Sequence, residues 1–275
     1  MKTAERSQER LRRHYEVEKA LADRLRRTTS REDRAKLYES MYDTLFAAVP
    51  DHPRLTRARD AAFIERVNRG RLAIVSSYLR PDARVLDIGA GDCTFSFELA
   101  RRAQNVTAVE ISEGSSALEG APQNFQLLLY DGFNLPVAPG TIDLAFSDQL
   151  VEHLHVDDAE WHFKMIAQAL APGGHYVFRT PHRFTGPHDV SMYFTKGDPQ
   201  GFHMKEWTYG ELRTVLQRTG YGKLTAIWCG KGLAMRLPFW VMVAKEAALR
   251  PLPRALRRKV SVFPFPSLTI AARKA

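Results

Sequence analysis

Cysteine is nearly absent: the 275 residues hold two, Cys93 and Cys229, far apart and without CxxC spacing. That scarcity excludes a disulfide framework and a cysteine-based zinc site, and it points to a reducing compartment. No segment approaches the roughly 18 to 20 consecutive apolar residues that cross a bilayer. The opening "MKTAERSQERLRRHYEVEKA" lacks the apolar core of a secretory signal, so a cytoplasmic protein is expected. Internal repeats and low-complexity tracts are missing too, and no pair of potential metal ligands is read at i, i+4 on a convincing helix. No metal site is expected from spacing.

What is present suffices for a globular fold. With 44% hydrophobic residues, the chain can bury a core as one large domain with an appendage. The net charge of +9 comes from 40 basic and 31 acidic residues spread through both ends rather than held in one tract. It reads first as a solvated basic surface and only second as a footprint for RNA or a membrane.

Up to about Leu55 the sequence is charged and helix-favouring. Leu11, Tyr15, Val17 and Leu21, then Leu37, Tyr38, Met41, Tyr42, Leu45 and Phe46, recur at helical spacing. Two amphipathic helices are expected, the second starting near Ser30 and ended by Pro50 and Pro53. Their tyrosines are read as core, although a helical cap over a pocket would bring them to a substrate. Residues 1–55 are therefore assigned to a helical cap and 56–275 to the main domain.

From Thr56 helices alternate with short apolar runs. A helix over about 57–79 precedes "RVLDI" (84–88), and one over about 94–103 precedes "VTAVE" (106–110). Then come "FQLLL" (125–129), "IDLAFS" (142–147), a helix over about 157–170 and "HYVFRT" (175–180). Apolar runs of this length between helices indicate a parallel sheet covered on both faces, in a doubly wound α/β domain. A polar, His-rich stretch follows over 181–205, then a helix over about 209–219 and a strand near 224–228. Residues 230–265 read as a less regular insertion before a final strand, "SLTIAARK".

The residues "LDIGAGDCT" (86–94) close the first strand. Ligands in such sheets bind beyond the carboxyl ends of the strands, and Gly89 and Gly91 let the backbone turn there and come close to one. GxG alone is weak. Glu110, ending the second strand 23 positions after Asp87, stands where a carboxylate accepts from both hydroxyls of a ribose. Asp131 can accept from an adenine amine. Asp87 would repel a pyrophosphate and attract an ammonium, and Thr94 replaces the third glycine of the dinucleotide fingerprint. An adenosine that carries an amino acid fits all four.

On "VLDIGAGDC", "VTAVE", "YDGFNLP", "IDLAFSDQLVEHL" and "LAPGGHYVFRTPHR", over residues 82–183, the chain resembles the class I S-adenosylmethionine-dependent methyltransferases of the bacterial small-molecule type. The resemblance implies a Rossmann-like seven-stranded sheet whose antiparallel last strand inserts beside the sixth. It also implies roles for matching residues: Gly89 and Gly91 on the methionine part, Asp87 on its ammonium, Glu110 on the ribose, Asp131 and Gly132 on the adenine. Ser147, Asp148 and Gln149 would line the channel where the methyl meets the acceptor. Phe184, Tyr193, Phe194, Phe202 and Trp207 would suit an acceptor pocket with an apolar body.

Methyl transfer from a sulfonium is an in-line displacement, so a base is needed only when the acceptor starts protonated. His153, His182, His188 and His203 are the candidates, with Glu152 or Asp189 to orient one of them. His182 follows the fifth strand and is expected to face the crevice; 181–207 is expected to build the acceptor site. No Asn/Asp-Pro-Pro-aromatic tetrad follows the fourth strand, where "SDQL" stands, which disfavours methylation of nucleobase amines. The expected reaction is methylation of an oxygen, or less readily a nitrogen, of a small metabolite. An RNA methyltransferase and a nicotinamide oxidoreductase are the alternatives. Residues 237–259 either pack on the fold or lie in a membrane interface, with Phe239 and Trp240 inserted and Arg254, Arg257, Arg258 and Lys259 on anionic headgroups, which would imply a lipid-linked or envelope substrate.

Overall fold

The computed structural model describes residues 6–57, 60–112, 118–230 and 233–275, so Lys231 and Gly232 of the expected 230–265 insertion lie outside the described residues. Two helices open the chain, α1 (Gln8–Arg27) and α2 (Arg31–Ala48), and the side chains of Ser7 and Ser30 cap them by accepting from Arg10 and Asp33 N–H. Leu25, Leu37, Tyr38, Met41 and Leu45 meet Phe133 and Phe202 from the main body in one buried cluster. A short α3 (Pro53–Arg57) follows. The helix expected over 57–79 is α4 (Ala61–Val75), begun by Asp60, whose carboxylate accepts from Phe63 N–H.

Next come β1 (Arg84–Ile88), α5 (Thr94–Ala100), β2 (Asn105–Glu110), β3 (Phe125–Leu129) and β4 (Ile142–Asp148). After a 3-10 turn at Val151–His153 the chain forms α6 (Val156–Ala169), β5 (Leu170–Thr180), α7 (Tyr209–Arg218) and β6 (Tyr221–Gly230). It ends with β7 (Leu233–Pro238), α8 (Phe239–Leu249), α9 (Arg254–Ser261) and β8 (Leu268–Lys274). The sheet runs β3-β2-β1-β4-β5-β8-β6-β7. Strands β1 to β5 pair in parallel, and β8 lies antiparallel between β5 and β6. "SLTIAARK" therefore takes the expected place, while the expected count of seven is corrected to eight among the described residues. The extra strand is β7, which folds back on β6 as an antiparallel hairpin at the sheet edge.

Apolar clusters cover both faces of the sheet. Phe163, Ile166, Tyr176, Phe178 and Ile270 lie in one, and Val75, Val85, Phe95, Leu99 and Val177 in the other. Both-sided burial explains why these strands read as continuous apolar runs.

Two polar junctions tie the outer helices down. On α2, Arg34 sends Nε to Asp158 Oδ2 at 2.7 Å and a second nitrogen to Oδ1, and gives Nη1 to the Thr28 and Thr29 carbonyls. Tyr38 Oη accepts from His155 N–H at 2.7 Å. On α8, Glu246 is 1% exposed and receives the N–H groups of Tyr209 and Gly210, the first turn of α7, together with His182 Nε2 at 2.7 Å. A carboxylate at that position satisfies amides that have no partner within their own helix. Phe239, Met242 and Glu246 are buried, so one face of α8 packs on the fold.

Candidate active site

Strand register brings the expected cofactor residues to one edge. Ile88 is level with Val109 and Ser147, and Glu110 with Leu129. The turns that carry Gly89, Asp131 and Gln149 therefore leave the sheet side by side. Gly89 and Gly91 have φ of 70° and 62°, the left-handed region that favours glycine. A Cβ on Gly89 would touch the Leu150 side chain at 3.4 Å, so the turn after β1 packs directly on the turn after β4. Cys93, also left-handed at φ 60°, passes the chain into α5.

Glu110 holds this turn. Its Oε1 accepts from Gly91 N–H at 2.6 Å and its Oε2 from Ile111 N–H at 3.1 Å. Each carboxylate oxygen keeps a lone pair after one bond, which suits a pair of ribose hydroxyls. Asp131 accepts from the N–H groups of Phe133 and Asn134 at 2.8 and 2.7 Å and from Asn134 Nδ2 at 2.6 Å. Burial would raise its pKa, yet these bonds hold it below the ordinary carboxylate value. Gly132 follows at φ 83°.

Asp87 behaves differently. It is 3% exposed and accepts from Ser96 Oγ at 2.6 Å. Burial pushes its pKa up to about 6. A carboxyl kept near its titration point by burial gains from any cation that comes to it.

Around β4 the side chains turn inward. Ser147 is fully buried with its hydroxyl 2.6 Å from Tyr176 Oη. Asp148 is clamped by Arg71 Nε at 2.7 Å and by Arg179, whose Nε and Nη2 both stand at 2.7 Å. Burial alone would raise its pKa, but the two guanidiniums lower it. The expected channel role of these two side chains is corrected accordingly: both are spent inside the fold. Gln149 is exposed on a left-handed backbone, φ 57°.

The histidines separate into two sets. His182 does not face the crevice. It is wholly buried, lies flat on Phe265 with centroids 4.1 Å apart, accepts from Phe184 N–H at Nδ1 and gives Nε2 to Glu246. The expectation of an outward side chain fails because α8, from far along the chain, covers it. His153 and His203 stand together, ring centroids 4.9 Å apart. His153 Nδ1 meets the Phe202 carbonyl at 3.1 Å, and His203 Nδ1 meets Glu206 Oε1 at 2.9 Å. His188 reaches the same Glu206 from the exposed side, at 3.2 Å. Burial pulls the His153 pKa well down, with the charges of His203 and Arg54 adding to it. For His203 burial acts the same way, but Glu206 and Glu152 outweigh it and raise the value.

Glu152 completes this group. It is fully buried, accepts from Thr180 Oγ1 at 2.8 Å, and burial lifts its pKa to about 7. Tyr42 lies edge-on to His153 at 6.2 Å and to Phe202 at 5.2 Å, with the Arg54 guanidinium 5.2 Å from its ring. Of the helical tyrosines, Tyr38 is core and Tyr42 packs against the same cluster, edge-on to His153. The segment 181–207 braces itself: Asp189 accepts from Ser191 and Gly201 N–H at 3.0 and 2.8 Å, and Phe202 N–H donates to Glu18 of α1 at 2.8 Å. Arg54, Arg71, Arg179, Glu206 and Glu246 were missed in the sequence. Only Glu206 carried a local signal, three residues after His203.

Residues 86–178 match the methyltransferase domain family. A demethylmenaquinone methyltransferase of Corynebacterium efficiens is 29% identical over 106 residues, 38% of this chain and 45% of that protein. The chain spans less than half of the length of the curated relatives it matches. Among solved structures, an S-adenosylmethionine-dependent methyltransferase from Mesorhizobium loti superposes with TM-score 0.52 at 19% identity, covering 75% of this chain and 98% of that one. Phosphoethanolamine N-methyltransferase 2 of Haemonchus contortus, in complex with S-adenosyl-L-methionine, gives TM-score 0.55 at 18% identity over 92% of this chain and 60% of that one. The matched segment carries the Gly89 turn, Glu110 and Asp131 together, and the Haemonchus enzyme of the same fold holds S-adenosyl-L-methionine. Residues 86–178 thus form a methyltransferase domain, and the fold around them is the class I fold of S-adenosylmethionine-dependent methyltransferases.

Proposed function

We propose that the chain moves the methyl group of S-adenosylmethionine to an oxygen, or less readily a nitrogen, of a small acceptor. The acceptor would be held between the turn after β4 and the segment 181–207. The observation that carries this is the contact of the Gly89 turn with Leu150, two residues before buried Glu152. It supports the reading because the turn proposed to take the cofactor packs on the same post-β4 segment that carries Glu152 and His153. In this reading Glu110 takes the ribose hydroxyls, Asp131 and the Gly132 backbone the adenine, Gly89 and Gly91 the methionine part and Asp87 its ammonium.

In the transfer the carbon–sulfur bond breaks with its electron pair left on sulfur, and an acceptor lone pair forms the new bond to carbon. The protein's share is to align the two partners and exclude water. An acceptor hydroxyl would also lose its proton, and this reading assigns that step to the group of Glu152, His153 and His203.

Titration calorimetry with S-adenosylmethionine and its demethylated product tests the cofactor half. Glu110→Ala should weaken both by about 1.5 to 3 kcal/mol, the scale of charge-assisted hydrogen bonds. Wild-type protein that binds NAD and neither of these ligands would refute the reading.

A second reading concerns where the acceptor resides. Trp240 and Phe263 are 69% and 77% exposed, and Val262, next to Phe263 in the chain, is exposed as well. Phe263 follows α9, on which Arg254 and Lys259 are exposed while Arg257 turns inward over the Phe184 ring at 4.7 Å. Aromatic side chains next to a basic helix suit an anionic lipid surface. No helix among the described residues is long and apolar enough to cross a membrane, so such contact would be peripheral, and the proposed location is the cytoplasm. Flotation with vesicles containing phosphatidylglycerol should carry the protein upward and should fail for Trp240→Ala/Phe263→Ala. Equal flotation of both proteins would remove this reading.

A further inference from the structure

Glu152, His153 and His203 each offer one ligand atom, and these atoms all lie within 4.8 Å of one another. Both imidazoles have Nδ1 turned away from the group: His153 to the Phe202 carbonyl and His203 to Glu206. Each ring therefore has Nε2 left for a ligand. Glu152 spends Oε2 on Thr180, while Oε1 is buried and has no partner. An unpartnered buried carboxylate oxygen costs free energy unless something positive meets it. Two imidazole nitrogens and a carboxylate oxygen, each oriented from behind by a carbonyl, a carboxylate or a hydroxyl, make the pattern in which outer hydrogen bonds aim inner metal ligands.

We propose that Glu152, His153 and His203 bind a divalent transition cation on the acceptor side of the crevice, with a coordination position left open for the acceptor's oxygen. Two nitrogens and one oxygen favour a borderline cation such as Zn2+, Co2+ or Ni2+ over Mg2+ or Ca2+. Three protein ligands are what sites with an open position use. The inference rests on the methyl-transfer reading for its purpose: an alcohol or phenol bound to the cation loses its proton to water near neutral pH and meets the methyl as an oxyanion. It also revises the expectation of no metal. The ligands come from two segments 50 positions apart, where helical spacing carries no information.

A second group, His14, Glu18 and His52, has similar spacing and does not carry the same inference. His14 Nε2 is already bonded to Glu18 at 2.8 Å, and its Nδ1 faces the Arg6 guanidinium at 2.8 Å. A cation there would compete with a fixed positive charge.

Cobalt is the probe because its visible absorption reports its ligands. Chelator-stripped full-length protein titrated with Co2+ should develop ligand-field bands that saturate at one ion per chain. Glu152→Gln and His203→Gln should lose the bands, and His14→Gln should keep them. Glu206→Gln, which touches the site only through His203 Nδ1, should bind Co2+ roughly 10- to 100-fold more weakly. Thermal melts and titration with the demethylated cofactor product show which variants remain folded. Absence of bands in the wild type overturns the proposal whatever the variants do, as does loss of the bands in His14→Gln alone. If the wild type binds the cofactor product but no Co2+, the cation fails and the methyltransferase reading stands. Saturable Co2+ bands without binding of the cofactor product support the cation site and refute the cofactor reading.

Discussion

Glu246→Ala should cost about 3 to 5 kcal/mol of folding stability, the range for removing one partner of a buried charged junction. The carboxylate receives His182 Nε2 and the first two amides of α7. Alanine would leave all of these donors buried without acceptors, and it would separate α8 from α7. Urea unfolding should show a midpoint shifted far down with an unchanged slope. Glu246→Gln keeps an acceptor oxygen and should fall between wild type and alanine. A midpoint within error of wild type for alanine would show that the junction adds nothing, and would reopen a catalytic role for His182.

Asp87→Asn should have opposite effects on fold and ligand. The carboxyl is buried, with its pKa raised to about 6 by that burial. A carboxyl whose folded value lies above its unfolded value of about 3.9 contributes stability that is full below pH 4 and disappears as pH rises through 6. At pH 7.5 wild type therefore bears a penalty of roughly 3 kcal/mol, since two pKa units are worth that much. Asparagine removes the charge but brings an amide group that also needs partners, so the net gain is expected at about 1 to 2 kcal/mol. The ligand-free variant should melt higher than wild type at pH 7.5 and no higher at pH 4. Affinity for S-adenosylmethionine should fall, because the proposed ammonium partner has lost its charge. Wild-type affinity should rise between pH 5 and 7, and the variant's should stay flat. A variant that melts lower at pH 7.5 would mean that the buried carboxylate is already compensated.

These residues show where sequence reasoning reached. The run from β1 through β5 was legible because strands buried on both faces must be apolar throughout, and the Gly89 turn because its backbone needs positive φ. Glu110 ends β2 and Asp131 lies just past β3, as the runs of apolar residues had set them, and their proposed part in holding the cofactor awaits the calorimetry. The β7 strand was not legible: "LAMRLP" lies at the sheet edge with most of its residues partly or well exposed, so no buried face imposed a pattern on it. His182 was misread because its partner lies 64 positions away and no spacing rule joins them. Asp148 looked like a channel residue for the same reason, since Arg71 and Arg179 close over it from different elements. The pairing of His153 with His203 depends on how 181–207 folds back, which local propensity does not encode.

The junctions made by the first two helices bear on how this protein can be shortened. Arg34 and Tyr38 engage Asp158 and His155 at the start of α6, and Glu18 takes the amide of Phe202, the neighbour of His203. A chain cut back to the methyltransferase motifs would strand an acidic side chain and free a backbone donor in surroundings that had been dry. It would also release the loop that carries His203. Such a fragment could still hold the nucleoside of the cofactor while failing at turnover, so an inactive core fragment would say little about the activity of the whole.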